Sequence, residues 1–265
     1  ALADSSRAWL VQKALANGVT LLRDPAELAG FDVVLVLVQP TAAVAVARAY
    51  APHLGPQTVY VDMTSCGPVQ KAEAGGVILA AGHRFVDAAM LGSVPMSRHR
   101  IPTVVAGPDA AAFVARMAPF GMAIRVIPGE IGSAAGVKIV RSILAKGIEA
   151  LFAESLVIAR RYGIEDEVLG SFAEFMDQHP MAEHARRMLR ANVVHPARRA
   201  DEVRMSVQTA RDVGVEPLIT QAIVDVLDRT TDSGIAARYG GKQPDSFAEA
   251  LAGLDEAWGG GRAGS

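Results

Sequence analysis

Lys138, Ser142, Lys146 and Glu149 recur at steps of three and four residues in the stretch G-S-A-A-G-V-K-I-V-R-S-I-L-A-K-G-I-E-A-L, which runs from Gly132 to Leu151. That spacing puts two ammonium groups, a hydroxyl and a carboxylate on one stripe of a helix. Ile139, Val140, Ile143, Leu144, Ile148 and Leu151 form a broad apolar face, expected to be buried. Gly132, Ser133, Ala134, Ala135 and Gly136 open the helix and allow another backbone or a ligand to come close. On spacing alone the stripe equally describes a solvated face with ordinary ion pairs. Three other segments end strand-like runs: Leu37-Val38-Gln39-Pro40, Asp62-Met63-Thr64-Ser65-Cys66-Gly67-Pro68 and Asp87-Ala88-Ala89-Met90-Leu91-Gly92-Ser93. Open parallel sheets bind ligands beyond the carboxyl ends of their strands. Taken singly, Asp62 and Thr64 need only shape a strand-to-helix turn, and Asp87 need only tie down a loop.

The elements that must position these residues alternate in type up to about residue 128. Ser5 to Ala16 reads as a helix ended by Asn17-Gly18, and Val19 to Leu22 as a short strand. Asp24 caps a short helix from Pro25 to Ala29. Val33 to Val38 reads as a strand buried on both faces, and Thr41 caps a helix from Ala42 to Ala51. Thr58 to Asp62 is the next strand. Pro68 opens a helix expected to end near Gly75-Gly76, with strands at Val77 to Ala81, Phe85 to Ala89 and Thr103 to Ala106. A helix over Pro108 to Ala118 and a strand over Ile124 to Ile127 follow. This alternation predicts a Rossmann-like α/β domain with a parallel sheet over residues 1–128. From Gly129 the pattern is helical: Ile131 to Tyr162, Glu165 to Met176, Met181 to Ala191, Ala197 to Val213, Glu216 to Thr231 and Asp245 to Ala257. Residues 129–258 therefore read as an all-α domain, and the glycine-rich 259–265 as a disordered tail.

Bulk composition narrows the partners. The 265 residues are 51% hydrophobic and 20% charged, enough for a sizeable core. A net charge of −2 gives no pull toward nucleic acid or an anionic membrane, and no apolar run reaches membrane-spanning length. The six histidines show no metal-ligand spacing, so no metal is expected. One cysteine, Cys66, excludes an internal disulfide framework and fits a reducing, cytoplasmic compartment. No signal peptide opens the chain, which begins at Ala1 rather than Met.

The order of motifs is a buried strand, then D-x-(S/T)-(S/T)-x-x-P, then D-A-x-x-x-G, then G-x-x-x-x-x-K opening a long helix. It resembles the β-hydroxyacid dehydrogenases, the 6-phosphogluconate and 3-hydroxyisobutyrate dehydrogenase superfamily. The stretch K-I-V-R-S-I-L-A-K-G-I-E-A-L-F-A-E, with H-P-A-R-R-A-D-E-V downstream, resembles the phosphogluconate-dehydrogenase-like branch with its own helical C-terminal domain. The resemblance spans most of the chain. It implies an NAD- or NADP-dependent enzyme whose active site lies in the cleft between the domains. Lys138 would be the catalytic lysine, exchanging a proton with the substrate hydroxyl and able to assist decarboxylation, with Ser142 beside it where the family usually has Asn. Leu37, Val38, Gln39 and Thr64 would lie against the cofactor. Ser65, Gly92 and Ser93 would line the pocket of a small-molecule substrate. The family commonly dimerises through the helical domain, where Met181, Met188, Leu189, Met205 and Ile219 are candidates for the contact.

Three further departures accompany the resemblance. Leu91 stands where the family has a carboxylate-binding Ser, and Asp201 stands where a cofactor-contacting Lys is usual. His195 and Arg199, with Arg198, are the nearby groups able to bind an anion in its place. No G-x-G-x-x-G joins a strand to a helix, so the first βαβ unit is expected to be missing from this chain. Imine reduction on the same fold, and a non-catalytic nucleotide-binding scaffold, are the rival readings.

Overall fold

Five strands form one sheet in the order β1-β2-β3-β4-β5: Val33–Val36, Val59–Asp62, Arg84–Met90, Thr103–Ala106 and Ile124–Val126. The structure is a computed structural model that describes residues 4–22 and 24–259. The chain divides into two compact units after Leu144. The first holds the sheet and helices α1 (Asp4–Ala16), α2 (Ala43–Tyr50), α3 (Pro68–Ala80), α4 (Val94–Ser97) and α5 (Ala110–Met117). It also holds the start of α6 (Ser133–Tyr162).

Alternate side chains of the strands feed two cores. Tyr60 and Phe85 pack with Ala47, Ala74 and Ile78 of α2 and α3, the two rings stacked 5.8 Å apart. Val59, Val61, Val86 and Val105 pack on the other face with Ala110 and Phe113 of α5. The domain is Rossmann-like as expected, but its sheet is mixed. β1–β2, β2–β3 and β4–β5 run parallel, whereas β3 and β4 are antiparallel. The segment between β3 and β4 holds only a short helix, and a parallel return needs a full crossover.

Several local expectations fail for identifiable reasons. β1 is an edge strand with β2 as its neighbour, and Leu35 and Leu37 stand 44% and 56% exposed rather than buried. Val77 to Ala81 is not a strand, because α3 runs through Gly75-Gly76 to Ala80. Gly75 serves packing, not termination: a Cβ there would meet Ile131 and Phe85 at 3.1 Å. Val19 to Leu22 forms no strand, and its apolar side chains are exposed. Asp24 does cap the turn at Pro25–Gly30, in a capping box with Glu27. Thr41 caps nothing; it lies inside the turn Pro40–Ala42 that leads into α2.

The second unit carries the rest of α6, then α7 (Glu165–Asp177), α8 (Met181–Asn192), α9 (Pro196–Asp212), α10 (Leu218–Asp232), α11 (Ile235–Tyr239) and α12 (Phe247–Ala257). No strand occurs here among the described residues. Val193, Val194, Ile235, Ala250 and Leu254 form its core. α9 lies against α10, tied by Arg204 to Asp228 at 2.6 Å. Glu154 on α6 accepts the amides of Ile219 and Thr220 and the Thr220 hydroxyl, capping α10 from a distance. The apolar face of α6 is not buried as predicted: Val140, Ile143 and Leu144 are each 60% exposed or more. No helix among the described residues is long and apolar enough to cross a membrane. The tail assignment falls, beyond Gly259, outside the described residues; the string G-x-G-x-x-G does occur there, from Gly259 to Gly264, after a helix rather than a strand.

Candidate active site

Parallel register sets Asp62 of β2 directly beside Asp87 of β3, both essentially inaccessible to solvent. Two carboxylates side by side in a low-dielectric sheet repel. Lys71, one turn into α3 and wholly buried, answers them. Its ammonium lies 3.0 Å from Asp62 Oδ1 and 3.8 Å from Asp87 Oδ1, and donates to the Asp62 carbonyl. Asp87 Oδ2 accepts from the amides of Gly132, Ala134 and Ala135 at 2.9, 2.9 and 3.2 Å. These are the free N–H groups of the α6 N-terminus, whose dipole adds roughly half a positive charge. Burial pushes the Asp87 carboxyl up, against the opposing pull of Lys71 and the three amides. Gly132 makes the approach feasible: its φ is +103°, and a Cβ would meet the Pro68 carbonyl oxygen at 2.9 Å.

This buried cluster fixes the groups above it. Asp62 Oδ1 accepts the Thr64 amide at 2.8 Å and so shapes the turn after β2. The buried Thr64 hydroxyl accepts the Val38 amide at 3.4 Å, linking the turns after β1 and β2. Lys138, one turn along α6 from the capped amides, donates to the exposed Ser65 hydroxyl at 2.5 Å. Burial, and then the like charge of Lys71, hold the Lys138 ammonium below the usual lysine range. Cys66, beside Ser65, is buried, and desolvation pushes its thiol up.

Of the residues singled out by sequence, the structure therefore joins Val38, Thr64, Ser65 and Lys138 in one set of contacts. Ser142 lies one turn beyond Lys138 on α6, partly buried. Arg141 donates to the Leu91 carbonyl at 3.1 Å and anchors the loop of Gly92 and Ser93 beside α6. Leu37 and Val38 line a cavity of about 340 Å³ with Leu35, Val46, Tyr50 and Tyr60, at the β1 edge. The buried Tyr60 hydroxyl there has no hydrogen-bond partner. Exposed Gln39 opens the turn into α2. Asp24 and Pro25 line the same cavity and neither Thr64 nor Ser65 does, so it offers a dinucleotide an apolar wall with one carboxylate and one orphaned hydroxyl. For its pyrophosphate, no G-x-G-x-x-G turn joins a strand to a helix among the described residues. His195 and Arg199 belong to the helical unit; His195 is exposed, and Arg199 lines a cavity there.

Sequence reasoning missed Lys71, and it read Asp87 as tying down a loop without showing which one. Lysine inside an amphipathic helix looks solvated, and only the register of β2 on β3 shows that it is needed. The D-A-x-x-x-G motif holds Asp87, but its partners lie 45 to 48 residues away.

Residues 4–122 match the NAD binding domain of 6-phosphogluconate dehydrogenase, and residues 159–230 match a domain of unknown function, DUF1932. A conserved hypothetical protein from Sinorhizobium meliloti 1021 is 30% identical, with a TM-score of 0.58 over 96% of this chain and 84% of that one. The conserved protein MTH1747, of unknown function and described as structurally similar to 3-hydroxyacid dehydrogenases, is 28% identical. Its TM-score is 0.57, over 85% of this chain and 84% of its own. An imine reductase variant from Myxococcus stipitatus, in complex with NAD+, shares the fold at a TM-score of 0.71 and 16% identity, covering 92% and 88% of the two chains.

Proposed function

The chain belongs to the β-hydroxyacid dehydrogenase superfamily of 6-phosphogluconate dehydrogenase-like proteins, and from that premise we propose that it is an NAD(P)-dependent oxidoreductase acting on a β-hydroxyacid, with Lys138 as its acid–base group. The observation that carries this reading is the Lys138–Ser65 hydrogen bond, held above a buried Asp62–Lys71–Asp87 cluster that fixes both ends. The nicotinamide, when bound, supplies or accepts the hydride. In the oxidation direction, neutral Lys138 takes the hydroxyl proton as the carbonyl forms; in reduction its ammonium returns that proton to the same oxygen. Ser65, hydrogen-bonded to Lys138, orients Nζ and offers its hydroxyl to the substrate oxygen. The Thr64 hydroxyl and the Val38 backbone hold the cofactor-facing turns. Ser142, Gly92 and Ser93 border the substrate.

A lowered Lys138 pKa sets the sign of the pH profile. The oxidation rate rises as Lys138 deprotonates, with its limb below about 10.4, the ordinary lysine value. The reduction rate falls over the same interval. Initial rates of NADH and NADPH consumption with a panel of β-keto acids, for the natural protein and Lys138→Ala, test the assignment. The expected loss is about 10²- to 10⁴-fold in turnover with cofactor affinity nearly unchanged. Undiminished turnover in Lys138→Ala overturns it. Cyclic imines belong in the same panel, because Leu91 packs among apolar Ala89, Val104 and Ala106 where a carboxylate-binding hydroxyl would otherwise serve a hydroxyacid. Turnover of imines alone replaces the hydroxyacid reading with imine reduction. Exposed Met181, Met188 and Met205 support a homodimer through the helical unit, and the lone buried Cys66 supports a cytoplasmic setting.

A further inference from the structure

We infer that the helical unit carries its own binding cavity for a small phosphate-bearing molecule, formed by Arg187, Arg190 and Arg199 with His179, His184 and Gln243. The cavity, about 440 Å³, lies among the α7–α8 turn, α8, the first turn of α9 and the segment before α12. No aspartate or glutamate lines it. Elsewhere in this unit Arg198, Arg204, Arg211 and Arg238 each hold a carboxylate. Arg187, Arg190 and Arg199 hold none among the described residues. The chain is net negative, so three uncompensated guanidiniums in one cavity do not follow from composition.

These groups are positioned by neutral acceptors that leave their charge unspent. Arg190 Nε donates to the Pro244 carbonyl at 2.9 Å, and Arg187 donates to the His179 ring nitrogen. Arg199 Nε is buried with no partner at all. His184, buried, is fixed by the Met176 carbonyl at 3.0 Å and by the ring of Phe175 at 5.0 Å. Guanidinium forks match phosphate oxygens two at a time, and pre-positioned forks lose little freedom on binding. The cavity is of ligand size and exceeds what a bare phosphate ion fills, so an ester is the fitting occupant. Of the site residues the resemblance implied, the cavity takes only Arg199, and it contains neither Lys138 nor any residue bonded to it, so it stands whether or not the dehydrogenase reading does.

Isothermal titration of the whole chain with glycerol 3-phosphate, orthophosphate and citrate tests this. Glycerol 3-phosphate should saturate one site per chain and bind at least ten-fold more weakly to Arg187→Gln and Arg199→Gln. Arg199→Lys keeps the charge but loses the fork, and should fall between; it serves where a glutamine variant does not fold. Orthophosphate binding as tightly as the ester assigns the ion itself, within the same chemistry. No saturable phosphate binding, unchanged affinity in the variants, or tighter binding of citrate overturns the assignment. Equal loss of NADPH affinity in both variants gives the guanidiniums to the cofactor and also overturns it.

Discussion

Two clusters of charge, one in each unit, are built on opposite rules. In the first, the single ammonium of Lys71 and the α6 amides oppose the two carboxylates Asp62 and Asp87, Asp62 Oδ2 and Asp87 Oδ1 have no hydrogen-bond partner, and the whole set is sealed from water. In the second, three guanidiniums face one cavity with no anion among the residues that line it. A sealed and compensated cluster fixes geometry, and its members are needed for folding. An open, uncompensated one is tolerated by the fold and completed by something that arrives later. Charge alone thus says little about a residue's task; what compensates it says more.

The sharpest way to break that contrast is Lys71→Met. It strands two facing carboxylates in the sheet, and urea unfolding should show a loss of about 3–5 kcal/mol, the range for removing one partner of a buried pair. A loss under 1 kcal/mol would mean the cluster is not the support it is taken to be. A smaller effect comes from Glu154, the carboxylate that caps α10 as Asp87 caps α6. Burial works to raise its pKa, but the Thr220 hydroxyl and the amides of Ile219, Thr220 and Leu218 outweigh it and hold the carboxyl below its ordinary value. A depressed carboxylate contributes stability that is complete above its unfolded pKa, about 4.3, and is lost as pH falls through the lower folded value. Glu154→Gln should therefore cost about 1–2 kcal/mol at pH 7, a difference from the natural protein that closes as pH falls through the folded Glu154 value. The smallest effect belongs to the open cluster: Arg187→Gln and Arg199→Gln should change stability by no more than about 0.5 kcal/mol, measured on the same urea curves. A loss comparable to Lys71→Met would place both clusters under one rule.

That the motif residues of the sheet unit lie close together was legible because each motif is local. Asp62, Thr64 and Ser65 sit in one turn, and Lys138 follows its small-residue opening by a fixed count, so order and spacing carried them. The supports were not legible. Lys71 is explained by Asp87, which is explained by Gly132 and Ala134, and no window of sequence contains all of them. The Gly75-Gly76 pair misled for a related reason: a glycine chosen for the side chains of Ile131 and Phe85 is spelled like one chosen to stop a helix. Alternation of elements predicted the α/β unit and the helical one, but not the antiparallel β3–β4 pairing, which follows from how little chain joins those strands. Apolar periodicity located α6 correctly and said nothing about what covers Ile143 and Leu144.

Cys66 turns the β2–α3 turn into something that can be timed. Its thiol is shielded, and desolvation keeps the reactive thiolate scarce, yet its chain neighbour Ser65 is exposed and bonded to Lys138. A thiol reagent can modify Cys66 only while the turn is open, so the labelling rate under native conditions counts those openings. Because the chain has a single cysteine, that clock reads one location without engineering, and any ligand that closes over Ser65 should slow it.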